Sequence, residues 1–567
     1  MSPSRRSVLL GGLAGLGSAT MCTAIADAAP AHGRAVSTRG TTLEQVAVKE
    51  RSDGYSRLTA GPGHELVVRE DLQAAKPARD DTRTALASFV QVTDLHMIDA
   101  QSPVRFEWLH PVNGSAFRPQ EALGSHGAAR LISRINAVAK GPFTGRPFDC
   151  VVTTGDNTDN MEQIELDWYL TALSGGTITQ NTGAPDLWEG VQNAGDDLYY
   201  HPEDQLADQY KQAGFPQLAG FFERAIAPHR SAGLRMPWYS VFGNHDNSIV
   251  GVLPRTIGTL DSWYLGDWKF TGFADPSAQK DLRAAMRSHS AAILEEPTDA
   301  QRTWRVTADE RRQPLGPVDH MARHLRAEVD GPGPHGHGYT ENSVDSGRGY
   351  YAFRIADGVT GIAMDSTNRA GFTEGSLGDA QLRWLKKTLA AGSSRYYDDW
   401  GVERRQAVSD ELFILFSHHT STTMSNLLLD PALPGDMRHA GFEVVSTLKR
   451  FPNVLAWVNG HTHRNDITAQ KHVDPSRSFW EINTASHVDF PQQARAIDVC
   501  DNSDGTISLF TTLLEADAPY AASYTDGSQR ALASLYRELS ANDIHAKDHA
   551  GAARDRNTEL LLRHPFA

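Results

Sequence analysis

The sequence predicts an α/β or α+β fold, on two observations. Between about residues 86 and 515, short β-rich runs alternate with helical segments, the pattern of layered sheets and helices. Five of these runs are apolar and each ends in residue types that bind metals, as buried strands do when their active residues sit at the C-terminal edge of a sheet. With 567 residues, 40% hydrophobic and 22% charged, the chain has the makings of a large core and more than one domain.

The elements follow in order. Ser4-Arg5-Arg6-Ser7-Val8 sets two arginines before an uncharged stretch that runs to about Ala26 and is rich in Gly, Ala and Leu. Small residues follow, Ala24-Ile25-Ala26-Asp27-Ala28-Ala29. Residues 1–29 thus resemble a cleavable twin-arginine signal, which implies the twin-arginine export machinery as partner and a secreted or cell-envelope location. A transmembrane anchor is disfavoured by the glycines and the cleavage-like site, and Ala19-Thr20-Met21-Cys22 is a poor lipobox. No later run is long enough to span a bilayer, so no membrane span is expected after cleavage. Residues 30–85 are polar with β-like runs such as Glu65–Arg69 and read as a β-rich N-terminal extension. The main domain, 86–515, carries insertions at about 161–235 and 248–345, expected to rim a binding site. Helices are expected at Ala128–Ala139 and Asp379–Ala391, the latter with Leu382, Trp384, Leu385 and Leu389 at helical spacing. Residues 516–567 read as a helical C-terminal tail. Cys150 and Cys500 lie in strand-like runs and are expected as buried thiols.

Lys plus Arg is 54 and Asp plus Glu is 69, a net charge of −15. That field repels phosphate polymers, so stable nucleic-acid binding is not expected. The strand ends carry a different message. Ser88–Thr93 ends in Asp94-Leu95-His96, Cys150–Thr154 in Gly155-Asp156-Asn157, and Trp238–Phe242 in Gly243-Asn244-His245-Asp246. Leu412–Ser417 ends in His418-His419, and Val454–Asn459 in Gly460-His461-Thr462-His463. Asp94 and His96 are two residues apart, as are His461 and His463, so an extended backbone would point each pair the same way. Oxygen and imidazole donors without thiolates suit Mn, Fe, Co or Zn. Asp94, His96, Asp156, Asn244, His418, His461 and His463 are too many for one catalytic ion, but right for two that share a carboxylate. Two such ions make a cationic well, suited to an anionic substrate and a bridging hydroxide nucleophile.

The series D-x-H, G-D, G-N-H-D, a histidine after a strand, and G-H-x-H resembles that of the calcineurin-like metallophosphoesterases, over roughly 86–515. Phe372–Leu385 is also similar to the helix that precedes the family's fourth motif. The resemblance implies a four-layer αββα sandwich and a phosphate mono- or diester substrate. It implies one ion on Asp94, His96, Asp156 and His463, and the other on Asp156, Asn244, His418 and His461, with Asp156 bridging. It makes His245 the proton donor to the leaving group or a phosphate contact. Asn157, Asp159, Asp246 and His419 are expected to orient ligands or touch substrate. Asp99 and Asn160 could assist them; His335 and His337 read as an exposed Gly-His loop, the alternative being that they reach in from the second insertion; and His487 could either line the pocket or be structural. Trp168 and Tyr169 read as core. The competing reading from another class is a cell-envelope binding protein on the same scaffold, with metals structural or absent. Hydrolysis of a non-phosphate ester is a third.

Overall fold

The computed structural model describes residues 35–111, 113–255, 258–273 and 301–566. The expected export signal, residues 1–29, lies outside them. Two mixed sheets dominate. Their strands in chain order are β1 (Val67–Arg69), β2 (Thr84–Val92), β3 (Cys150–Thr154), β4 (Trp238–Val241), β5 (Tyr351–Ala356), β6 (Val359–Ala363) and β7 (Leu412–Phe416). They continue with β8 (Val454–Asn459), β9 (Asp466–Gln470), β10 (Phe479–Asn483), β11 (Gln493–Asp501), β12 (Thr506–Glu515) and β13 (Thr558–Arg563). The first sheet runs β1-β13-β12-β11-β2-β3-β4 and the second β5-β6-β7-β8-β10-β9. Within them β2, β3 and β4 are mutually parallel, as are β6, β7, β8 and β10.

Alternation along each strand sorts its side chains between two cores. Phe89, Val152 and Val241 of the first sheet join Ile414, Phe416, Val458 and Ile482 of the second in one apolar cluster. The opposite faces meet helices. Val90, Val92 and Val151 pack with Leu131, Ile132 and Ile135 of α1 (Gly124–Val138), and with Leu166 and Leu170 of α2 (Gln163–Ser174). Phe413, Leu415 and Trp457 pack with Leu382, Leu385 and Leu389 of α3 (Asp379–Ala391), and with Val444 and Leu448 of α4 (Gly441–Leu448). A strand covered on both faces favours apolar residues at most positions, which is why these runs are nearly continuous, and the buried Gln91 and Thr153 are met by hydrogen bonds. Cys150 and Cys500 are free and buried, and Trp168 and Tyr169 belong to the core. No described helix is long and apolar enough to cross a membrane.

Two expectations change. Residues 516–567 are not simply helical. After α5 (Gln529–Ala541) the chain ends in β13, which pairs with β12 on one side and β1 on the other. Its Leu560-Leu561-Leu562 run suits a helix by propensity, but the open edge of β12 supplies the backbone partners that decide for strand. The first insertion does not rim the site. Its Trp188, Tyr199, Tyr210 and Phe221 form an apolar cluster with Phe117 and with Leu532, Leu535 and Tyr536 of α5, behind the 99–118 loop.

Candidate metal centre

The C-terminal ends of β2, β3, β4, β7 and β8 open at one end of the two sheets, and the expected donors meet there. Donor atoms of Asp94, His96, Asp156 and His463 all lie within 4.8 Å of one another. Beside them, His418 Nε2 stands 3.1 Å from Asp156 Oδ2, 3.0 Å from Asn244 Oδ1 and 3.2 Å from His461 Nδ1. His96 Nε2 is 3.6 Å from the same Asp156 Oδ2. Asp156 is therefore common to two neighbouring donor sets.

Backbone geometry departs from the extended pattern expected. Asp94 (φ 51°), His96 (41°), Asp156 (49°), His461 (70°) and His463 (59°) are all left-handed. The paired side chains converge through turns rather than along extended strand. Such conformations cost about 1–3 kcal/mol each in non-glycine residues and persist only where the surroundings over-determine them. Here they do. His96 N donates to Asp156 O (2.9 Å), Asp94 N to Gly155 O (3.1 Å), and His461 N to Asp94 Oδ2 (3.2 Å). Gly243 is required by contact: a Cβ there would stand 2.1 Å from Asp156 N.

The residues behind the donors take distinct tasks. Asp159 Oδ1 meets His96 Nδ1 at 3.0 Å, and its Oδ2 pairs with Arg105 Nε at 3.1 Å. Thr154 O faces His418 Nδ1 at 2.9 Å. These contacts orient the rings and leave Nε2 for the centre. Asp246 accepts from the amides of Gly243 (2.9 Å), Asn157 (3.1 Å) and Thr158 (2.9 Å), so it ties loops together rather than facing the cavity. Asn157 Nδ2 donates to Val241 O at 3.0 Å. Both His419 ring nitrogens are engaged, by Ser366 Oγ (2.8 Å) and Thr373 O (2.9 Å), with its ring 4.5 Å from that of His461. His245 rests its Nδ1 on Asp159 O, its ring 4.6 Å from His96, and lines the cavity.

Other expectations fall elsewhere. Asp99 pairs with Arg312 (3.0 Å) and Thr182, not with His96. Asn160 accepts from Val250 N (2.7 Å). His337 stacks on Trp238 at 3.4 Å, and His335 pairs with Asp330 at 2.7 Å. His487 is buried against Tyr536, outside the cavity lining. Sequence reasoning missed Asp489, two residues beyond His487. Its Oδ2 meets His463 Nδ1 at 2.6 Å, and Arg118 Nε donates to its Oδ1 at 2.6 Å. The only sequence signal was its place in the loop after β10. Glu165, at the start of α2, was also missed. It accepts from the amides of Asp99 (2.9 Å) and Asn160 (2.7 Å).

The donor set fits two cations. His96 Nε2 is buried without a hydrogen bond, a condition that is costly unless something else meets it, and Asp94 Oδ1 has the His463 ring at 3.3 Å beside it. Burial pushes His96 down to about 4 and His461 to about 3, so both present neutral imidazole lone pairs. Burial also disfavours charge on His418 and His463, but Asp156 outweighs it and holds His418 up to about 9, while Asp94 and Asp489 hold His463 up to about 10. Positive charge is thus favoured at both. His96, Asp156, Asn244, His461 and His463 floor a cavity of about 290 Å³. Phe106, Leu109, Ala116, Val250 and Val252 give it apolar walls, and Arg105, Arg118 and Lys547 give it basic ones.

The chain matches no protein-family model and no curated protein. Among solved structures it is similar to a dimetal phosphatase from Danio rerio, at 10% identity and a TM-score of 0.32, covering 76% of this chain and all of that one.

Proposed function

We propose that the protein is an exported, metal-dependent phosphoric ester hydrolase acting on a phosphate mono- or diester. One observation carries the reading: donors from five strand ends form two adjacent sets that share Asp156 Oδ2. The sheet-on-sheet core with helices outside supports reading the fold as the four-layer αββα sandwich. Two transition ions such as Mn, Fe or Zn, when bound, would supply Lewis acidity and an activated water. The chain's own residues do the rest. Asp156 holds the two donor sets together. Asp159 and Asp489 fix the imidazoles of His96 and His463. The apolar walls limit water around the reacting phosphate, which strengthens each charge contact. His245, braced through Nδ1 on Asp159 O, lines the cavity and serves as proton donor to the leaving oxygen. The twin-arginine-like signal is what supports export.

The test is metal content and turnover measured together. The mature chain is purified, its metals counted, and p-nitrophenyl phosphate and bis-p-nitrophenyl phosphate assayed with and without chelator. About two ions per chain, with activity lost on chelation and restored by Mn, Fe or Zn, is the expected result. The ratio of the two rates separates monoester from diester. Bound metal with no turnover of either ester would turn the assignment to a binding protein.

A further inference from the structure

The segment that follows α5 is fastened over the donor cluster at both ends. At its start, Asn542 Nδ2 donates to Ser56 O and Glu538 O, both at 2.8 Å, and its Oδ1 accepts from Ser56 N at 2.8 Å. At its end, Asn465 N donates to His549 O at 3.0 Å, and Asn465 lies two residues beyond His463. Gly551 (φ 69°) lies so close to Asn465 that a Cβ would stand 2.1 Å from the Asn465 carbonyl oxygen. The loop that carries His461 and His463 therefore also positions this strap. The His549 ring sits 6.0 Å from that of His463. Lys547 lines both the main cavity and a small adjoining one of about 30 Å³.

Charge on these walls is unevenly matched. Arg105 is paired with Asp159 (3.1 Å) and Glu121 (3.3 Å). Arg118 is paired with Asp489 at 2.6 Å. Both guanidiniums are committed to holding the site. Lys547 is exposed and forms no ion pair with any described residue. A flexible ammonium on the rim of this cavity is placed to take a second negative group. The cavity, at about 290 Å³, suits a small molecule rather than a polymer.

We propose that the strap forms a second anion subsite with Lys547 as its cation, so that the preferred substrate is a small phosphate ester whose leaving group carries another anionic group. This rests on the phosphoesterase reading above. The test pairs benzyl phosphate with 4-carboxybenzyl phosphate, whose remote carboxylate barely alters the leaving alcohol. The metal-loaded enzyme should prefer the carboxylated ester by about two- to fivefold in kcat/KM, expressed in KM, the scale of an exposed ion pair. Lys547→Ala should collapse that ratio towards unity and Lys547→Arg should keep it. Calorimetric binding of benzylphosphonate and 4-carboxybenzylphosphonate should show the same ratio without turnover. Equal kcat/KM for the two esters in the wild type, or a ratio unaffected by Lys547→Ala, overturns the subsite while leaving the phosphoesterase intact. Cleavage of neither ester by the metal-loaded enzyme removes both.

Discussion

Asp489 gives the sharpest test of how the centre is built. Its carboxylate serves three donors: His463 Nδ1 at 2.6 Å, Arg118 Nε at 2.6 Å and Arg118 Nη2 at 3.1 Å. Asp489→Asn keeps the shape but leaves one carbonyl oxygen where two carboxylate oxygens accepted. Its new amide N–H₂ would face at least one of the same donors. Hydrogen bonds to charged groups are worth about 1.5–3 kcal/mol, and Arg118 is buried at 3% side-chain exposure with no other carboxylate of the described residues within ion-pair reach. Part of the loss falls on folding, at about 2 kcal/mol, because Arg118 keeps a partly matched charge. Part falls on the centre, because His463 loses its orienting anion: about 10- to 100-fold in metal affinity or activity. The assays are urea unfolding of the metal-depleted chain and metal titration of the refolded variant. A variant with wild-type metal affinity and unchanged kcat would refute the argument that Asp489 positions His463.

Three further outcomes are expected. Gly243→Ala puts a methyl group 2.1 Å from Asp156 N and 2.2 Å from Asp156 Oδ1, so it should lower metal content and cost about 1–3 kcal/mol; a metal assay and thermal scan matching wild type would exclude this packing. His245→Ala should slow an alkyl phosphate by about 10²–10⁴-fold and p-nitrophenyl phosphate much less, since only the poor leaving group needs the proton; equal losses would remove His245 from proton donation. Asp543, beside Asp489, Arg118 and Tyr210, is pushed up from 3.8 to about 7, by burial first. The folded chain therefore holds a proton there that the unfolded chain has lost, so this group's stabilising contribution falls as pH rises from about 4 to 7. Asp543→Asn should flatten the dependence of the urea midpoint between about pH 5 and 7, and an identical slope in variant and wild type would contradict it.

Much of the centre was legible because strand and donor are encoded locally. A buried strand is largely apolar or β-branched, so Cys150–Thr154 and Leu412–Phe416 stand out, and the polar residues after them leave the sheet at its edge. Helix α3 was legible in the spacing of Leu382, Leu385 and Leu389, which all reach the same core. The left-handed turns at Asp94, His96, Asp156, His461 and His463 were not, because aspartate and histidine tolerate positive φ more often than most residues but adopt it in too few positions for the sequence to place a turn at a given one. Contacts between loops impose it.

The sequence by itself determined which strands would be buried and which oxygen and nitrogen donors their ends would carry. Tertiary structure alone decided what stands behind and above those donors. Arg118 and Asp489 are 371 residues apart, and β13 finds its place only because β12 and β1 each leave an edge beside it. The strap carrying Lys547 reaches the cavity because Asn465 holds one end of it and Asn542 the other. Periodicity reports a residue's surroundings only within its own element, whereas an ion pair or a strand edge depends on neighbours that the chain brings together by folding.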